Sequence, residues 1–144
     1  MRGNVWLTAG GVLSLIAAVL HLAIIAGGPD WYRFFGAGEG MALAAAEGSP
    51  TPALVTIGIA AMLLVWAAYA FAGAGLVRPL PLMRTALVLI SAVYLARGLL
   101  LPAALVIGRE PDSFGVWSSL IVLAYGVVYA MGTWQAWPAL SRRA

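Results

Sequence analysis

Tyr94-Leu95-Ala96-Arg97-Gly98-Leu99-Leu100-Leu101-Pro102 sets a guanidinium near the middle of an apolar run over residues 83–107. The run is long enough to cross a bilayer, which takes about 20 consecutive apolar residues in a helix. Read as a span, it makes the fold a set of four membrane helices with a permanent charge inside one of them. That charge is costly at membrane depth and needs a partner. No other expected span carries a carboxylate, so the partner must come from a loop, a tyrosine, a backbone carbonyl or a ligand. Pro102 cannot donate a backbone bond to residue 98 and is expected to kink the helix just above the arginine.

Three further runs flank this one, over residues 5–26, 53–76 and 116–137. The chain is 63% hydrophobic and 9% charged, where a soluble domain is about half apolar and about a quarter charged. The expected fold class is therefore an all-α integral membrane protein: a four-transmembrane-helix bundle forming one membrane domain over residues 1–144. A signal peptide is the competing reading for residues 5–26, but that run exceeds the usual apolar core of about 7–15 residues.

The connections are marked by helix breakers. Gly27-Gly28-Pro29-Asp30 stops the first helix, and Trp31 to Phe35 is an aromatic cluster suited to the headgroup level. Residues 36–40 are glycine-rich. Residues 41–47 favour a short helix, interfacial or re-entrant, and Gly48-Ser49-Pro50-Thr51-Pro52 fixes the entry to the second span. Pro79 and Pro81 make the next turn. Gly108 to Asp112 is a short polar loop, and Pro138 with Arg142 and Arg143 closes the chain.

Orientation follows the arginines. Arg2, Arg78, Arg84, Arg142 and Arg143 flank one side, against Arg33 and Arg109 on the other. The positive-inside rule then places both termini in the cytoplasm and the long first loop outside. Four spans satisfy that parity. The expected location is the inner membrane of a bacterial cell, since long apolar helices are not the outer-membrane barrel pattern.

Small residues mark packing faces. Gly10, Ser14 and Ala18 recur every four positions, which lets membrane helices approach closely and permits a homo-oligomer. His21 continues that face. On the third span Ile90, Tyr94, Arg97, Leu101 and Ala104 share one side. On the fourth, Ser118, Val122, Tyr125, Tyr129 and Thr133 form a stripe with a polar tint.

Counting about 1.5 Å per residue from the outer ends puts His21 about 8 Å deep, with Tyr125 and Arg97 at about 14–15 Å. Trp66 and Tyr129 lie near 20 Å on the same count. An outer-half cavity around Arg97 is thus expected to bind an amphipathic or anionic small molecule, or a membrane lipid. Its expected binding residues are Arg97, His21, Glu39, Tyr125, Tyr94, Trp66, Tyr69 and Tyr129. Glu39, on its glycine-flanked loop, is the first expected partner of Arg97.

The bland alternative is an accessory subunit in which Arg97 only bridges helices. An enzyme acting on a lipid-like substrate would use His21 and Glu39 for proton transfer, but this reading ranks third and a role without catalysis is favoured. One histidine and no cysteine argue against a metal site and against thiol chemistry. No cofactor is expected, and the scattered arginines give no nucleic-acid patch.

Overall fold

The computed structural model describes residues 3–108, 110 and 112–141. It is all-helical, with no strand among the described residues. The helices are α1 (Val5–Gly27), α2 (Pro29–Phe34), α3 (Glu39–Ala46), α4 (Thr51–Gly73), α5 (Met83–Gly98), α6 (Leu100–Val106) and α7 (Ser113–Ser141). Four stretches are long and apolar enough to cross a membrane: Val5–Gly27, Thr51–Gly73, Met83–Val106 and Ser113–Leu140. They match the four expected spans, with shifted ends. The third is α5 and α6 in series. Its break at Leu99 falls three residues before Pro102, where the missing backbone donor weakens the turn. α7 runs through Pro138 to Ser141, beyond the expected end at residue 137. A proline deletes only its own bond to the preceding turn, and here the helix tolerates the loss. Arg2, Arg109, Arg142 and Arg143, used above for orientation, lie outside the described residues.

The chain divides into two compact units. The first comprises residues 1–13 and 66–144. Its start is fixed by Asn4, whose side-chain oxygen accepts the Leu7 backbone N–H at 3.0 Å as an N-cap. The same amide donates to the Gly132 carbonyl of α7 at 2.7 Å, tying the beginning of α1 to α7. α7 is capped in the same way: the Asp112 carboxylate accepts the Gly115 N–H at 2.9 Å.

Packing in this unit is built on glycine. α5 and α7 pack along their length. A Cβ on Gly98 would stand 2.6 Å from the Leu123 Cα, and one on Gly126 would stand 2.8 Å from the Leu95 backbone nitrogen. Each helix thus presents a leucine to a glycine of the other, three residues from its own glycine. Gly132 faces Leu7, Gly10 faces the Tyr129 ring, and Gly11 faces the Phe71 ring. Without a hydrophobic drive between helices in lipid, such close approach is what holds membrane helices together. Leu82, before α5, has φ 53, a left-handed conformation that β-carbon sterics disfavour. Pro79 and Pro81, just before it in the turn, narrow the chain's alternatives.

The second unit is residues 14–65. Ser14 and Ala18 are fully buried, in keeping with the small-residue face expected there. α1 ends at Gly28, φ 71, whose N–H returns to the Ile24 carbonyl at 3.1 Å. Pro29 then opens α2, where a missing N–H costs nothing. α2 and α3 pack on each other around Ile24, Tyr32 and Ala42, with Phe35, Met41 and Ala45 against them. The short helix expected over residues 41–47 is α3, shifted to begin at Glu39. The Tyr32 and Thr56 hydroxyls share a hydrogen bond of 3.3 Å, fastening α2 to α4. Trp31 and Phe34 are exposed, as suits an aromatic cluster at a headgroup level.

Candidate functional site

Arg97 sits in the last turn of α5, just before the break. Its guanidinium donates from Nη1 to the Ser119 hydroxyl at 3.2 Å and from Nη2 to the Ser118 hydroxyl at 3.4 Å. Both serines belong to the second turn of α7. The Arg97 side chain therefore reaches across from the last turn of α5 to the second turn of α7. The residue is exposed, not turned fully inward as the helical face of Ile90 and Tyr94 suggested. That face is real at its deeper positions, since Ile90 and Tyr94 are buried.

One turn below Arg97, Tyr94 is the hub of an aromatic group. Its ring meets Trp66 of α4 edge-on at 4.8 Å between centroids. It meets Tyr125 of α7 edge-on at 5.5 Å and Tyr129 at 5.3 Å. Edge-to-face contact sets the positive rim of one ring on the negative face of another. The Tyr129 hydroxyl donates to the Trp66 carbonyl at 3.3 Å, closing the group. Four of the residues expected at the site, Trp66, Tyr94, Tyr125 and Tyr129, are thus brought together around Tyr94, one helical turn from Arg97. Tyr69 does not join them. Its hydroxyl donates to the Pro81 carbonyl at 3.1 Å and holds the turn after α4.

The second unit holds the other two expected residues, and each has a local partner. The His21 ring nitrogen Nδ1 lies 2.7 Å from the Ala17 carbonyl. A carbonyl can only accept, so Nδ1 carries the proton and Nε2 keeps the second position of the ring. Glu39 is gripped by Arg33: Nε lies 2.9 Å from Oε2 and Nη2 lies 2.9 Å from Oε1. Arg33 also reaches Asp30 at 3.0 Å. The ion pairs among the described residues both belong to Arg33.

The expected Arg97–Glu39 pairing is therefore replaced by Arg33–Glu39, six residues apart in one loop. The loop brings that pair together with far less chain to order. The Arg33 guanidinium holds the Glu39 carboxyl below the usual carboxylate range. Glu39 in turn raises Arg33 above its ordinary value. A carboxylate kept ionised in this way is a weak proton acceptor, which counts against Glu39 in acid–base chemistry.

What the arrangement offers chemically is a cation whose partners among the described residues are two neutral hydroxyls, one helical turn from an aromatic group. Ser119 carries half of this geometry and escaped the sequence reading, which placed only Ser118 on the polar stripe. Comparison with protein-family models, with curated proteins and with solved structures yields no match to this chain.

Proposed function

We propose that this chain is a multi-pass protein of a bacterial inner membrane, with both termini cytoplasmic. In this reading it binds an amphipathic anion, a small molecule or a lipid, through Arg97. The observation that carries it is the pairing of the Arg97 guanidinium with two neutral serine hydroxyls. A charge in a span that lacks a carboxylate partner is a functional-site hypothesis by default. A ligand carboxylate or phosphate would supply the missing negative charge. The apolar part of the ligand would lie along the aromatic group of Trp66, Tyr94, Tyr125 and Tyr129.

The test uses the purified protein in a non-ionic detergent, with oleate and its uncharged analogue oleyl alcohol as probes. Oleate is expected to raise the unfolding temperature more than oleyl alcohol does. Arg97→Gln is expected to weaken oleate binding about tenfold or more, the loss of one charge-assisted hydrogen-bonded contact. Equal stabilisation of wild type and Arg97→Gln by oleate would reject the reading. Topology is tested on the same chain. It has no cysteine, so single cysteines placed at Ser49 and Leu80 report membrane sidedness without background. Labelling from the outside is expected at residue 49 and not at residue 80.

A further inference from the structure

At the opposite end of α5 from Arg97, two cavities lie side by side within the first unit. One, of about 970 Å³, is lined by the turn before α5, the last turns of α4 and α7, and Arg84. The other, of about 730 Å³, runs between α5 and α7 past Val88, Ser91, Ala92, Thr133, Trp134 and Trp137. Val88 and Trp137 line both, so the two share a wall. We propose that this pair is a binding groove for an anionic glycerophospholipid drawn from the adjoining leaflet, with its phosphate at Arg84 and its acyl chains along α5 and α7.

Charge is the first argument. The Arg84 guanidinium lies 4.4 Å from the centroid of the Trp137 ring, a cation–π stack. Among the described residues, no carboxylate lines either cavity. The unit's carboxylates, Glu110 and Asp112, sit before the start of α7, at the far end of the α5–α7 pair. Arg84 thus supplies fixed positive charge to an apolar groove that no carboxylate among the described residues lines. Trp137 holds it in place from one face and leaves its edge donors for a phosphate.

The second argument is a buried hydroxyl. Thr133 is 5% exposed, and its Oγ1 is buried with no hydrogen-bond partner among the described residues. Thr56 and Ser91, also in helices, satisfy theirs by donating to the carbonyl four residues back, each at 2.7 Å. An unsatisfied buried hydroxyl carries a standing desolvation cost. Thr133 lines the groove, and in the proposed complex its unpaired hydroxyl is the donor to a lipid ester carbonyl.

Depth is consistent along both helices. Thr133 lies one turn, about 6 Å, from Trp137 on α7, and Ser91 lies about 10 Å from Arg84 on α5. A lipid entering from the surface meets charge first, then an ester-level donor, then the apolar side chains Ala92 and Leu95. The exposed indole of Trp134 fits a headgroup-level flank. Free phosphate would use only the first of these features, and a neutral lipid only the last two.

Native mass spectrometry of the detergent-solubilised protein tests the assignment, with phosphatidylglycerol, phosphatidylcholine and deacylated glycerophosphoglycerol as probes. Wild type is expected to retain phosphatidylglycerol over phosphatidylcholine and to retain no glycerophosphoglycerol. Arg84→Gln is expected to lower phosphatidylglycerol retention about fivefold, the weight of one basic residue at an anionic surface. Arg78→Gln, in the turn before α5 but outside both cavities, is expected to change it little. Thr133→Val keeps shape and removes the donor, so it is expected to lower retention of both phospholipids while the protein stays folded. Equal retention of the two lipids by wild type would overturn the proposal, as would equal losses for Arg84→Gln and Arg78→Gln. Retention of glycerophosphoglycerol would reassign the site to a headgroup without chains and would also overturn it.

Discussion

Gly98→Ala places one methyl group where α5 meets α7, and its effect can be worked from the geometry. The added Cβ would stand 2.6 Å from both the Cα and the Cβ of Leu123, and 2.7 Å from its backbone nitrogen. Carbon atoms pack best at about 3.5–4.0 Å, so α5 and α7 must separate locally by about 1 Å. The obstacle is backbone, and no rotamer change can move it aside. Overpacking of this kind costs about 1–3 kcal/mol. Against it stands the gain of replacing glycine by alanine in a helix, at most about 1 kcal/mol and less at a last helical residue. The net expectation is destabilisation by about 1–2 kcal/mol.

The same separation would stretch the Arg97–Ser119 contact, now 3.2 Å, beyond hydrogen-bonding range. Gly58→Ala is the control, because its Cβ would meet nothing within 4 Å on an equally apolar helix. Both variants are unfolded by SDS titration from mixed micelles. Gly58→Ala should match or exceed wild type, and Gly98→Ala should unfold at lower SDS. A Gly98→Ala protein as stable as Gly58→Ala would refute the close α5–α7 seam, and with it the position assigned to Arg97.

Two further outcomes follow from single contacts. Asn4→Ala removes both the cap on α1 and the bond to the Gly132 carbonyl, so the same titration should show a loss of about 1–2 kcal/mol. The Arg33–Glu39 pair sets a pH dependence. Because Glu39 is depressed in the folded loop, the pair's contribution is present above the ordinary carboxylate pKa and is lost as pH falls through the lowered value. Arg33, being raised, stays charged throughout that range. Carbon-13 NMR of the Glu39 carboxyl should show a midpoint below the ordinary glutamate value, and Arg33→Gln should move it up. Identical midpoints in the two proteins would show that the pair does not form in solution.

The aromatic group could be read in advance because it rests on helical spacing. Tyr125 and Tyr129 share a face at an interval of four residues, a property of the helix alone. The break near Pro102 and the stops at Gly28 and Gly48 are equally local, set by a missing donor or by a left-handed backbone. The partner of Arg97 is a different kind of fact. Glu39 was the natural guess, because opposite charges attract and no span offered a carboxylate. Its own loop, however, holds Arg33 six residues away, and that short-range pair forms instead.

By itself, then, the sequence determined that the chain has four apolar helices of membrane-crossing length and which breakers separate them. Length, apolarity and helix breakers are additive properties of short stretches, so they survive without knowledge of neighbours. Tertiary structure alone decided which glycine receives which leucine, that Ser118 and Ser119 hold Arg97, that Arg84 stacks on Trp137, and that Thr133 is buried without a partner among the described residues. Those depend on the register between helices. In a soluble helix an apolar stripe would reveal which face turns inward, but these helices are apolar all round. The face that packs and the face that meets lipid read alike until the helices are set against one another.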